Sequence, residues 1–309
     1  MSWSLFDRVL NHIEKGKGWD EELMLEIVNF QLRHNSFYRS YCDKLGIRYF
    51  RNLKELVFLP VEFFKKFEVF SCDNPIGFFL SSGTTGNRSK VYFNNDSLKL
   101  YRVSALRAFP FKGKRIFSLV PPFEKAPTSS LSFMIKVFSE EMEVIYLNES
   151  LQEVDYMRVK EELNRIRNGD VLFLTSIQLL KLVEAMEEPF EEEIVIIETG
   201  GYKATGRVYS RAELVSLASK KFPAAKFHSE YGMAEMFSQF YSDEKGFYHI
   251  HPAVAVFTEG RGLLRVFDFA NLCTVSALLV PDRIYRERNA FLLEGRITSE
   301  IRGCGYVFR

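Results

Sequence analysis

Apolar and polar positions change period twice along the chain, and each change marks a different kind of architecture. Over residues 1 to about 70 the spacing is helical: Leu23, Ile27, Phe30 and Phe37 follow the acidic start Asp20-Glu21-Glu22, and Tyr38 and Tyr41 extend the segment. An acidic first turn ahead of an apolar face predicts amphipathic helix. From residue 76 to about 241, short apolar runs alternate with helical patterns. Strands are predicted at 115–120, 143–147, 171–175, 194–198 and 225–231, and helices at 97–109, 129–140, 151–167, 177–186 and 211–222. Ser210 with Glu213 forms a capping box that fixes the start of the last helix. Such alternation predicts an α/β fold with a mostly parallel sheet flanked by helices. From residue 246 only short strands remain, at 247–251, 254–258, 263–267, 276–280 and 290–293. They predict a small antiparallel β subdomain at the C-terminal end. The expected organisation is a helical cap over 1–75, an α/β core over 76–245, and a β subdomain with a short tail over 246–309, all within one large domain.

Composition narrows the function classes. The chain has 309 residues, is 47% hydrophobic, and carries 30 phenylalanines; most of those rings are expected in cores, with some free to line an apolar pocket. A net charge of +1 gives no electrostatic case for nucleic acid or an anionic membrane. Nothing approaches the ~18 uninterrupted apolar residues of a spanning helix, and Met1 to Arg8 lack the pattern of a signal peptide. Cys42, Cys72, Cys273 and Cys304 are scattered, with no Cys-x-x-Cys pair, so neither zinc nor a disulfide framework is expected. These features together predict a cytoplasmic protein. His12 and His34 stand alone, as surface or satisfied core residues do.

The chemistry concentrates between Leu80 and Tyr92, which read Leu-Ser-Ser-Gly-Thr-Thr-Gly-Asn-Arg-Ser-Lys-Val-Tyr after the strand-like run Ile76-Gly77-Phe78-Phe79. Gly83 and Gly86 let backbone N–H groups turn inward. Together with the hydroxyls of Ser81, Ser82, Thr84 and Thr85 and the cations Arg88 and Lys90, they make a cradle for phosphate oxygens. The order Gly-x2-Gly-x3-Lys excludes a P-loop, which needs Gly-x4-Gly-Lys-Ser/Thr.

This loop resembles the signature Ser-Gly-Thr-Thr-Gly-x-x-x-Lys of the adenylate-forming superfamily of acyl-CoA synthetases, luciferases and peptide-synthetase adenylation domains. Further motifs follow in order. Tyr231-Gly232-Met233-Ala234-Glu235 resembles Tyr-Gly-x-Thr-Glu, which implies Glu235 as the Mg²⁺ ligand and Tyr231 beside the adenine; Ala234 departs from the usual hydroxyl. Gly200-Gly201 resembles the glycine turn that packs on adenine. Val280-Pro281-Asp282 stands where the ribose-binding Thr-Gly-Asp would, and Arg296 follows Asp282 by fourteen residues, as the superfamily's Gly-Arg step does. Asp268 is a rival ribose ligand, but its surroundings read as a structural strand and turn. The run 295–303 resembles the hinge into the superfamily's small C-terminal domain, and the chain stops six residues later, so that domain and its lysine are expected to be absent.

Pro121-Pro122, Glu198-Thr199-Gly200-Gly201-Tyr202-Lys203 and the terminal Glu300-Ile301-Arg302-Gly303-Cys304 resemble one branch. It is the LuxE-type acyl-protein synthetase family, related to phenylacetate-CoA ligases. The resemblance implies ATP- and Mg²⁺-dependent activation of a carboxylic, chiefly fatty, acid to an acyl-adenylate. It further implies transfer to a thiol, either Cys304 or a carrier, with a carrier protein, reductase or acyltransferase as partner. The implied ATP site comprises Ser81, Ser82, Gly83, Thr84, Thr85, Gly86, Lys90, Gly200, Gly201, Tyr231, Gly232, Asp282 and Arg296. Lys90, Glu235 and Cys304 carry the chemistry. Two alternatives stay open: an aryl- or acyl-CoA ligase, and a non-catalytic acyl- or nucleotide-binding partner of a reductase or acyltransferase.

Overall fold

A computed structural model of the chain describes residues 4–82, 87–148, 154–200 and 209–296. Its helices start where the sequence supplies caps. Four N–H groups at a helix start have no partner within the helix, and a side-chain oxygen just before it satisfies one of them. Asp20 accepts from Leu23 N at 3.0 Å and Asn35 from Tyr38 N at 2.9 Å. Ser129 does the same for Ser132 N, and both Thr175/Gln178 and Ser210/Glu213 form complete capping boxes.

In chain order come α1 (Leu5–Lys15), α2 (Glu21–His34), α3 (Ser36–Lys44), β1 (Leu59–Pro60), β2 (Gly77–Leu80), β3 (Lys90–Phe93) and α4 (Asn95–Ala108). The α/β alternation follows: β4 (Ile116–Ser118), α5 (Ser130–Phe138), β5 (Val144–Tyr146), α6 (Tyr156–Glu162), β6 (Val171–Thr175), α7 (Ser176–Ala185), β7 (Val195–Thr199), α8 (Arg211–Ala218) and β8 (Lys226–Tyr231). Strands close the chain: β9 (Phe240–Ser242), β10 (Tyr248–His249), β11 (Val254–Val256), β12 (Gly260–Asp268), β13 (Ala277–Glu287) and β14 (Ala290–Arg296). The fold is α/β, as the alternation predicts.

By backbone contacts the chain divides into two compact units. One comprises Met1–Ala108, Gly232–Phe240 and His249–Phe291; the other comprises Phe109–Tyr231, Tyr241–Tyr248 and Leu292–Arg309.

In the first unit β12 pairs antiparallel with β11 and β13, and β1 runs parallel to β13. Its helical part is tied to the turn before β13 by one buried side chain. Gln31 of α2 donates to the carbonyls of Asn271 and Leu272 at 3.0 Å and accepts from Ser276 N at 3.0 Å. The hairpin of β2 and β3 brings Leu80 opposite Lys90. A Cβ at Gly77 would lie 2.7 Å from the Phe93 ring, so a larger residue there would have to move that ring.

Two expectations are corrected in this unit. Cys72 and Cys273 are joined by a disulfide across a sequence separation of 201 residues. No local spacing announces such a pair, and the cysteine argument for a cytoplasmic setting lapses with it. The strand expected at 276–280 continues to Glu287 through a bulge. Leu264 faces Val280 but Leu263 faces Arg283, so Pro281 and Asp282 have no partners in the ladder. Proline cannot donate to a ladder, and strands take it at bulges.

In the second unit β4, β5, β6, β7 and β8 are all parallel, with β6 between β4 and β7. Their apolar faces meet α7 and α8 in a core that includes Phe117, Leu172, Leu174, Ile196, Leu179, Leu214 and Phe222. The helix expected at 151–167 is shorter, Tyr156–Glu162 followed by a 3₁₀ turn at Leu163–Arg165. Among the described residues no helix is long and apolar enough to cross a membrane.

Candidate active site

The first unit holds Ser81, Ser82, Lys90, Gly232, Glu235 and Asp282, and the second holds Gly200, Tyr231 and Arg296. Gly83, Thr84, Thr85, Gly86, Gly201 and Cys304 lie outside the described residues.

The hairpin closes just below the hydroxyl-rich loop. Ser81 N donates to the Ser89 carbonyl at 3.0 Å, Ser89 N returns a bond to Ser81 Oγ at 2.9 Å, and Arg88 Nε donates to the Ser81 carbonyl at 2.6 Å. Strand alternation then places Lys90 on the same face as Tyr92 and its cross-strand partner Phe78. The Lys90 ammonium lies 4.3 Å from the Phe78 ring centroid and 4.7 Å from that of Tyr92. Ring faces attract an ammonium through the aromatic quadrupole. Tyr92 is itself held by its hydroxyl, which donates to Glu68 at 2.7 Å. The sequence motifs do not mark Phe78 and Tyr92, although the two-residue period of β2 and β3 places them beside Lys90.

Glu235 is buried, on a loop that several groups hold in place. Asn271 Nδ2 donates to the Glu235 carbonyl at 2.9 Å. Asp268 accepts from the amides of Phe237 at 2.7 Å and Ser238 at 3.0 Å, and from the Ser238 hydroxyl at 2.6 Å. Phe237 packs edge-on against Phe79 and Tyr101. Asp268 is therefore occupied by protein donors, as a structural residue would be. Burial raises its pKa to about 6 despite those hydrogen bonds. Asp282 is also fully buried, at the bulge opposite Leu263 and Leu264. A bulge re-aims a side chain that regular pairing would direct elsewhere.

In the second unit β7 and β8 end side by side. Thr199 is in register with Glu230, and one residue later stand Gly200, at φ +81°, and Tyr231. Tyr231 is buried, with its ring edge-on to Tyr248 at 5.8 Å. Ligands of parallel α/β sheets bind beyond the carboxyl ends of strands, which is where these residues lie. Arg296 closes β14, largely buried.

The donor set fits a magnesium nucleotide. Mg²⁺ prefers oxygen and is held by one or two carboxylates plus phosphate oxygens rather than by an all-protein cage. Glu235 supplies such a carboxylate, and among the described residues no cluster of three His, Cys, Asp or Glu side chains could hold a metal by itself.

No protein-family model matches the sequence, and no curated protein matches it significantly. Solved structures do. A 2-hydroxyisobutyryl-CoA ligase, in its postadenylation state with 2-HIB-AMP, superposes with a TM-score of 0.66 at 12% identity. The match covers 94% of this chain and 67% of that one. The fold is that of the adenylate-forming ligases. O-succinylbenzoate CoA synthetase (MenE) from Bacillus subtilis, in complex with AMP, matches at TM-score 0.50 and 18% identity over 74% of this chain. An ATP-bound RpMatB-BxBclM chimera matches at 0.52 and 14% over 72%. This chain spans about half the length of those last two proteins, 50% and 48%.

Proposed function

We propose that the protein is an ATP-dependent ligase that activates a carboxylic acid, chiefly a fatty acid, as an acyl-adenylate and passes the acyl group to a thiol. The observation that carries this reading is the hairpin of β2 and β3, closed by the bonds between Ser81 and Ser89 and bearing Lys90 at the start of β3, within an adenylate-forming fold. Ser81, Ser82, Gly83, Thr84, Thr85, Gly86 and Lys90 hold the phosphates. Gly200, Gly201, Tyr231 and Gly232 hold the base, and Asp282 and Arg296 hold the ribose.

The substrate carboxylate oxygen bonds to the α-phosphorus of ATP. The bond from that phosphorus to the bridging oxygen breaks, and its electron pair leaves with pyrophosphate. Mg²⁺ bound at Glu235 would neutralise charge on the phosphate oxygens. Lys90 adds a fixed positive charge, and groups already oriented in a water-poor site stabilise developing charge without reorganising. Among thiols, Cys304 or a carrier protein's thiol displaces AMP from the adenylate and leaves a thioester. For Cys304 the support is the run Glu300-Ile301-Arg302-Gly303-Cys304, which resembles the acyl-protein synthetase pattern.

Incubation with ATP, Mg²⁺ and a panel of carboxylic acids, read as pyrophosphate release, tests the activation step. Labelled acid should leave a hydroxylamine-sensitive label on the protein. Cys304→Ser should make the adenylate yet stay unlabelled if the chain carries the acyl group itself. A CoA ligase is the second reading, favoured by the likeness to an O-succinylbenzoate CoA synthetase and a 2-hydroxyisobutyryl-CoA ligase; acyl-CoA formed on adding CoA, with no protein-bound label, would select it. Absence of pyrophosphate release with every acid would leave a binding partner of a reductase or acyltransferase.

A further inference from the structure

Two buried carboxyls at the ends of β7 and β8 have no part in the chemistry above. Glu198 and Thr199 end β7, Ser229 and Glu230 approach the end of β8, and the register sets Glu198 opposite Ser229 and Thr199 opposite Glu230. Each strand thus contributes one carboxyl and one hydroxyl, in reciprocal order. The bonds follow that order. Ser229 Oγ donates to Glu198 at 2.5 Å, and the Thr199 hydroxyl donates to Glu230. In-register neighbours of a parallel sheet share a face and successive residues alternate, so the two carboxyl–hydroxyl bonds clasp the strands from opposite faces. All four residues are buried.

The clasp is anchored on both sides. Ser176, at the start of α7, donates to Glu198 and lies 2.7 Å from the Gly200 carbonyl. Arg211 Nε donates to Ser229 Oγ at 2.7 Å, while its other nitrogens reach the carbonyls of Phe227 and Glu244. The residues immediately past the clasp are Gly200 and Tyr231.

We propose that Glu198 and Glu230 are positioning residues that lock the ends of β7 and β8 together and thereby set Gly200 and Tyr231 for the base of the nucleotide. The inference rests on the assignment of those two residues to the base under the proposed function. The clasp itself rests only on the buried hydrogen bonds.

The two carboxyls differ in support. Glu198 accepts from two hydroxyls and feels Arg211 through Ser229, whereas Glu230 accepts from Thr199 and faces the acidic Glu198 and the Tyr248 phenol. Burial, partly offset by the Thr199 bond and reinforced by Glu198, raises the Glu230 pKa to about 7. Charge therefore enters the Thr199–Glu230 half of the clasp as pH rises through neutrality, and a buried charge without a cation is unfavourable.

The test measures AMP binding by calorimetry at pH 6.5 and pH 8.5, with circular-dichroism melts to confirm folding. Wild type should weaken about fivefold or more between the two pH values. Glu230→Ala and Thr199→Val should each lose about tenfold at pH 6.5. Glu230→Gln, which keeps an acceptor for Thr199 but cannot ionise, should recover the affinity lost in Glu230→Ala and bind equally at both pH values. Folded Glu230→Ala or Thr199→Val proteins that bind AMP as wild type does would overturn the proposal, as would a Glu230→Gln protein with the wild-type pH response. Should wild type bind no AMP, the proposed function fails, and amide exchange of ligand-free protein reads the clasp directly. Residues 198–200 and 229–231 should then exchange at least tenfold faster in Thr199→Val than in wild type. Equal protection would overturn the clasp as well.

Discussion

Ser238 gives Asp268 both of its protons: its hydroxyl lies 2.6 Å from Oδ1 and its amide 3.0 Å from Oδ2. With Phe237 N also on Oδ2 and Ala270 N on Oδ1, the carboxyl spans from the β12 end to the loop that carries Glu235. That occupancy gives Asp268 a structural role, holding the loop in place.

Asp268→Asn turns an amide NH₂ toward backbone donors and leaves at least one of them without an acceptor. An unfolding titration should show a loss of about 1–3 kcal/mol, with nucleotide affinity unchanged in the folded fraction. Asp282→Ala, at the bulge, should weaken ATP binding in the folded fraction. A nucleotide titration in which the two variants exchange behaviours would move the ribose contact to Asp268.

Lys90→Ala and Glu235→Gln should each lower pyrophosphate release about a hundredfold or more, the scale on which one electrostatic stabiliser acts. For Lys90→Ala, far-ultraviolet dichroism should stay native, because Phe78 and Tyr92 still pair across the hairpin. Wild-type rates in both variants would remove the loop and Glu235 from the site.

The Cys72–Cys273 bond closes a loop of about 200 residues, and cross-linking a loop that long restricts the unfolded chain by about 5 kcal/mol in the chain-entropy account. Adding a reductant should lower the unfolding free energy of wild type by about 3–5 kcal/mol. A Cys72→Ser, Cys273→Ser protein should start near that lower value and ignore the reductant. Equal sensitivity in both proteins would show that the pair is not bonded.

His251 is partly buried, its ring edge-on to Phe240, and loss of solvation pushes its pKa down to about 4, against a weaker opposing bond at Gln239. The folded value lies below the unfolded one near 6.5, so the unfolded chain binds the extra proton first. Its stabilising contribution is complete above about pH 6.5 and is lost as pH falls toward 4. Relative to His251→Leu, wild type should lose about 2–3 kcal/mol between pH 7 and pH 4.5. A difference that stays constant over that range would contradict the burial of a neutral ring.

What the sequence determined by itself was whatever local pattern can encode. The alternation of β4 to β8 with α5 to α8, the capping box at Ser210 and the hydroxyl-rich loop after β2 are all set by residues within a few positions of one another. The adenylate-forming fold was legible for the same reason, since spaced motifs record it. Tertiary structure alone decided the rest. The Cys72–Cys273 bond, the hold of Asp268 on Ser238, the bulge that places Asp282 and the reciprocal clasp of Glu198 and Glu230 join residues that lie 30 or more positions apart or depend on strand register. A carboxylate in a sequence reads the same whether it meets water or buried hydroxyls. Only the packing of distant strands decides which of those it meets, and with it whether the group holds a loop, a ribose or a proton.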